Sequence, residues 1–317
     1  MNSSTMLPNP YTPMAFLEPY DAEGHMLSAY VYSATTGALV WDWLMSIPDE
    51  YKMLSRGGIS RSKVVYVCSR VFSLAFCLCS TIFQSAPVSN CQSLLSAIAV
   101  LTILALNTNT FLFFIRVRAV YGNSRRVTTF FSFCYVVVFG TSLYVPFALH
   151  ARSISSESYR TDYCEEWRVN PWIAAAMLSN VINNTLVFFA ISYRIASTSS
   201  EGWRSMLRSF FLGDGVPRVA KQLLHNGQLC YFATIALSIT QIIMALTSTF
   251  YTTATIPVMA LENAMTCRVH RGIILGLIGN SEHQTTTTFA LSTVAWRTAE
   301  RDDTAPKELG PDPSNPV

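Results

Sequence analysis

Three ionisable side chains lie inside apolar stretches of this 317-residue chain, and they pose the first chemical question. Asp42 falls in a run read as a helix over 26–47, Arg70 in one over 64–86, and Glu262 in one over 251–267. A charge at the centre of a bilayer costs at least ~2.5–3.5 kcal/mol, so such groups pair or face water. At ~1.5 Å rise per residue, all three fall at similar depth near one end of their helices. The expectation is that Arg70 pairs with Asp42 or Glu262, with Asn109 and Asn263 completing a polar cluster. That cluster is either a switch that moves the helix ends or a static ion pair that fixes packing. A proton or ion path is the third reading. Asn180, Asn183, Asn184 and Gln241 form a second group, read as the lining of a ligand cavity or as hydrogen bonds between neighbouring helices.

Enzyme chemistry has little to stand on. The histidines (His25, His150, His225, His270, His283) are scattered, without metal-ligand spacing. There is no Gly-x-Ser-x-Gly and no phosphate loop. Gly213-Asp214-Gly215 falls in a turn outside the spans, against an intramembrane aspartyl protease, and the run 251–267 has no lysine for a Schiff base. The expectation is a protein that is not an enzyme, with no metal and no cofactor.

Composition supplies the elements that must position these residues. Half the residues are hydrophobic and 13% are charged, against ~25% in soluble domains. Mean hydropathy is +0.31. Apolar runs at 26–47, 64–86, 91–115, 128–150, 171–193, 229–248 and 251–267 approach the ~20 residues that cross a bilayer. Asn170-Pro171 reads as the N-cap and first turn of the fifth. With the N-terminus outside, all 22 basic residues except Arg70, Arg152, Arg160 and Arg168 fall on the cytoplasmic side. Arg116, Arg118, Arg125, Arg126, Arg204 and Arg208 make up much of that basic face. The fold expected is all-α: a seven-transmembrane-helix bundle, N-terminus outside and C-terminus cytoplasmic.

In that scheme 1–25 is an extracellular tail without a cleavable signal, and 26–279 is the membrane domain. Residues 201–226 contain two basic amphipathic stretches, read as interfacial anchors or as a docking surface for a cytosolic partner. Ile273, Ile274, Leu277 and Ile278 mark a further surface helix, and 280–317 a disordered tail. Cys91 and Cys164 both face the outside, and the other six cysteines lie in spans or at the inner face, so these two are expected to bond. Cys267 beside Arg268 is a palmitoylation candidate. No basic domain supports nucleic-acid binding.

The elements Trp41-Asp42-Trp43-Leu44, Ile47-Pro48-Asp49-Glu50, Phe111 to Gly122 and Thr266 to Arg271 carry a resemblance. Over roughly 26–275 the chain resembles a family of uncharacterised multi-pass membrane proteins of mushroom-forming fungi, whose N-terminal module is a domain of unknown function. The resemblance implies a seven-helix membrane protein and no catalytic residues. A staple from the third span to the second outer loop also resembles the architecture of G-protein-coupled receptors. The functional expectation is a receptor-like signal transducer in the plasma membrane, with a small-molecule ligand, a cytosolic signalling partner and the lipid bilayer as its partners. A small-solute transporter or channel, or a non-catalytic scaffold, is the alternative.

Overall fold

The computed structural model of the protein describes residues 17–55, 60–156, 159–170, 172–199, 234–244 and 253–279. In chain order these form α1 (Pro19–Ser55), α2 (Arg61–Ser85), α3 (Cys91–Val120), α4 (Arg125–Ser142), α5 (Val145–Ala148), β1 (Leu149–Ser156), β2 (Tyr159–Val169), α6 (Ile173–Ser199), α7 (Thr234–Met244) and α8 (Thr255–Gly279). Among the described residues, four helical stretches are long and apolar enough to cross a membrane: Arg61–Ser85, Cys91–Val120, Arg125–Ala148 and Ile173–Arg194. The protein is therefore an integral membrane protein. Phe133, Val136, Phe147, Leu178 and Phe189 point outward, as lipid-facing side chains do.

The 30-residue α3 is the central post, packed against α2, α4, α6, α8 and the hairpin. Its first turn is capped by Asn90, whose Oδ1 accepts from Ser93 N at 3.2 Å. The main apolar core joins Leu95, Ile98, Ala99 and Leu106 of α3 to Leu39 of α1, Phe76 and Phe83 of α2, and Ile256, Met259 and Ala260 of α8.

Several boundaries depart from the sequence reading. Helix α1 begins at Pro19 rather than Met26, and it runs through Pro48 to Ser55. Membrane helices tolerate an internal proline better than helices in water do. The run 128–150 is not one helix: it breaks after Ser142, and Pro146 sits in the first turn of the short α5. Helix α8 continues unbroken to Gly279, so Ile273 and Ile274 extend it rather than start a separate surface helix. Asn170 does act at the start of α6, its Oδ1 accepting from Trp172 N at 3.1 Å.

The all-α expectation needs one correction. The stretch after α5 is an antiparallel hairpin of β1 and β2, with Ser153 opposite Cys164. Three ties hold it over the bundle. A disulfide joins Cys91 at the start of α3 to Cys164 in β2. Val88 N donates to Asp162 O at 2.6 Å, and Ala151 N to Gln92 Oε1 at 2.9 Å. All three ties are non-local, so no local periodicity in 149–169 announces the strands. Residues 1–16, 201–226 (with Arg204 and Arg208) and 280–317 lie outside the described residues.

Candidate functional site

Helical spacing builds the first cluster at the end of the bundle opposite the hairpin. On α1, Asp42, Ser46 and Glu50 follow one another at i, i+4 and i+8 and share a face. On α2 the buried stripe is polar: Ser62, Tyr66, Ser69, Arg70 and Ser73. Arg70, 3% exposed, spends its fork on α1. Its Nη1 donates to Asp42 Oδ2 at 2.9 Å, Nη2 to Ser46 Oγ at 3.0 Å, and Nε to Glu50 Oε1 at 3.2 Å. Separate guanidinium nitrogens serve three acceptors, an arrangement that a single ammonium cannot reproduce.

Helix α8 closes the cluster. Arg271 Nη1 donates to Glu50 Oε1 at 3.3 Å and to Tyr66 Oη at 3.1 Å, and Arg268 Nη2 donates to Asp42 Oδ1 at 3.2 Å. Tyr66 Oη donates to Glu50 Oε1 at 2.6 Å, and Trp43 Nε1 to Glu50 Oε2 at 3.2 Å. His270 stacks on Tyr66 and reaches Ser62 Oγ through Nε2 at 3.2 Å. Two carboxylates thus hold three guanidinium groups from two helices. Cys267 is fully buried among Met53, Tyr66 and Leu112, which closes it to the palmitoylation considered above.

A second knot lies one turn deeper. Asn263 Nδ2 reaches Ser69 Oγ at 2.7 Å and Asn109 Oδ1 at 3.0 Å, and Ser69 Oγ donates to that same Oδ1 at 2.5 Å. All three side chains are fully buried, so α2, α3 and α8 are pinned through one three-way contact. Arg116 of α3 donates to the carbonyl of Thr266 on α8.

Glu262 belongs to neither group. It neighbours Asn263 in sequence but points about 100° around α8, toward α6, where Asn180 Nδ2 donates to its Oε2 at 3.1 Å. Asn184 is its other hydrogen-bonding neighbour. Of the two partners expected for Arg70, then, Asp42 makes the contact and Glu262 does not. Asn183 is buried on α6, and Gln241 of α7 donates to Thr255 Oγ1 at 3.0 Å.

Toward the hairpin end, a cavity enclosing about 930 Å³ of atom-free space, mouth included, opens between the helices. Apolar side chains such as Phe76, Phe83, Leu95 and Met259 line most of it; Asn180, Ser238, Gln241 and Thr255 supply polar groups, and Glu166 of β2 lies above. Its lining, mostly apolar with a few polar groups, is that of a small-molecule pocket. Of the basic residues, Arg118 bonds Asn123 Oδ1 at 2.5 Å, and Arg125 and Arg126 open α4. Arg194 lies over the Tyr121 ring, whose hydroxyl donates to Ala190 O at 2.9 Å. Burial raises the Tyr121 hydroxyl above its usual range, with Arg194 opposing.

Sequence reasoning missed Glu50, Ser46, Tyr66, Arg268 and Arg271. The signal was present for α1: Asp42, Ser46 and Glu50 recur at helical spacing, obscured by reading Pro48 as a terminus. Against known proteins, a model described as a family of unknown function, DUF6533, matches residues 30–75. That stretch contains Asp42, Trp43, Ser46, Glu50, Tyr66 and Arg70, so the α1–α2 half of the charge cluster falls inside the matched module. No curated protein matches the chain.

Proposed function

We propose that the protein is a seven-span, receptor-like signal transducer of the plasma membrane, with the hairpin outside and the basic end in the cytoplasm. One observation carries the reading: α8 has residues in both regions. Ile256, Val258 and Met259 line the cavity, Asn263 enters the buried amide knot, and Arg268 and Arg271 grip α1. A ligand that displaces the upper part of α8 therefore acts on ion pairs at its lower part. Packed interfaces of this kind change between discrete arrangements rather than bending smoothly. The disulfide-tied hairpin above the cavity and the cationic residues at the opposite end support the same orientation.

The test is reconstitution in lipid nanodiscs with a panel of apolar small molecules. Binding is read by thermal shift, and signalling by nucleotide exchange on added heterotrimeric G-proteins. Ligand-dependent exchange supports the receptor. Binding without exchange, together with solute flux in proteoliposomes, turns the reading to a transporter.

A further inference from the structure

The unused chemistry in this fold is at Glu262. The carboxylate is 2% exposed, and no cationic side chain among the described residues forms an ion pair with it. Asn180 donates to Oε2 at 3.1 Å, and Asn184 is its second partner. These amides stand at i and i+4 on one face of α6, so both converge on the same carboxylate. Turning their N–H groups toward Glu262 leaves both amide oxygens over. Asn180 Oδ1, Asn184 Oδ1 and Glu262 Oε1 are all buried and meet no hydrogen-bond donor among the described residues. Buried acceptors are nearly always satisfied by protein, water or an ion, and two amide oxygens left over beside a carboxylate with a free oxygen of its own suit a cation. Beside them lies a small gap whose polar lining is Asn184, Glu262, Ser238 and Thr234, walled by Phe113, Val181, Ile235 and Met265. Ser238, 4% exposed, already spends its proton on Thr234 O at 2.8 Å, which leaves its Oγ as an acceptor.

We propose that Glu262, Asn180, Asn184 and Ser238 form a binding site for one monovalent metal cation, of which sodium is the best fit. The ligands are hard oxygens from one carboxylate, two amides and one hydroxyl, which suit a hard cation rather than a thiol- or imidazole-seeking one. A single carboxylate neutralises one unit of charge, so sodium leaves the buried site neutral where a divalent ion leaves an excess. The site joins α6, α7 and α8 and does not depend on the receptor reading.

The experiment is saturable binding of radioactive sodium to the purified full-length protein in nanodiscs. It is paired with thermal unfolding in sodium against N-methyl-D-glucamine at equal ionic strength. Binding of one sodium per chain and a melting temperature that climbs with sodium concentration are expected. Glu262→Gln should abolish both, while Asn184→Ala should weaken sodium binding by about tenfold or more. Should Glu262→Gln fail to fold, Asn184→Ala and the wild-type cation comparison decide the matter. Absence of saturable sodium binding in the wild-type protein overturns the proposal. So does full binding by a folded Glu262→Gln variant, or a response to pH with none to sodium, which would mark a protonated carboxyl instead.

Discussion

Glu50 and Arg271, 221 residues apart in sequence, meet through one hydrogen-bonded ion pair of 3.3 Å between Oε1 and Nη1. The contact ties the end of α1 to the end of α8 across Tyr66, which bonds both partners. The first and last described helices are thereby closed into a ring with α2, and Arg70 lies inside it.

This pair should behave as a coupled unit. Glu50→Gln and Arg271→Gln, made singly and together, should show a coupling of about 0.5–3 kcal/mol in unfolding free energy. Arg268→Ala, by contrast, removes a side chain that is 65% exposed, against 9% for Arg271. Its cost should stay within about 1 kcal/mol. Strictly additive losses at Glu50 and Arg271, or a larger loss at Arg268 than at Arg271, would contradict the cluster as described.

Arg70→Lys keeps the charge and should still fail to restore the site. The ammonium cannot reach Asp42, Ser46 and Glu50 in the planar fork that the guanidinium supplies. Arg70→Met should cost about 3–5 kcal/mol, because it removes the most buried of the three cations and leaves Asp42 with only the exposed Arg268 and Glu50 with Arg271. Thermal unfolding in nanodiscs compares the three proteins. A lysine variant as stable as wild type would mean that charge alone matters there.

How far the sequence foretold this arrangement depends on which coordinate is asked for. Placement in helices was legible: Asp42, Arg70 and Glu262 do lie inside long helices of an apolar chain. Azimuth was not, because rise along a helix says nothing about direction around it. Asn263 and Glu262 are neighbours in the chain, yet one faces Ser69 and Asn109 and the other faces Asn180. Glu50 was hidden by Pro48, which ends most helices in water but not this one. Cys91 and Cys164 were readable as a pair, since the topology puts these two outside and the other six cysteines in spans or at the inner face, and the disulfide forms. The hairpin around Cys164 was not, because its ties come from Val88, Cys91 and Gln92 rather than from its own alternation.

The disulfide closes a separation of 73 residues. Chain-entropy arithmetic for such a loop gives at most about 4 kcal/mol, less here because membrane insertion already restrains the unfolded chain. Cys91→Ser should lower the melting temperature, and reductant should do the same to the wild-type protein. Cys91→Ser should also make the remaining Cys164 reactive to thiol reagents in the unfolded protein. Equal melting temperatures with and without reductant would show that Val88, Gln92 and the hairpin suffice.

His25 gives the hairpin end a pH dependence. Burial holds its imidazole below the usual range, with the Cys164 backbone and the Glu165 charge opposing. A histidine lowered in the folded state stays neutral there while the unfolded chain takes up a proton. Stability is therefore full above about pH 6.5 and declines as the pH falls below it. His25→Gln should flatten the slope between pH 7 and pH 5. An unchanged slope in that variant would assign the acid sensitivity to another group.

The most direct measurement of coupling along α8 uses Cys267, fully buried beside the charge cluster. In a variant whose other free cysteines are replaced and whose disulfide is kept, its maleimide labelling rate reports opening of the α1–α8 end. The compound to test is one that raises the melting temperature of the wild-type protein but not of Ala176→Phe, which fills the cavity wall. Binding of that compound should change the Cys267 labelling rate several-fold, and Ala176→Phe should abolish the response. A compound that demonstrably occupies the cavity and leaves the rate untouched would show that the two ends of α8 act independently, and the account would fail.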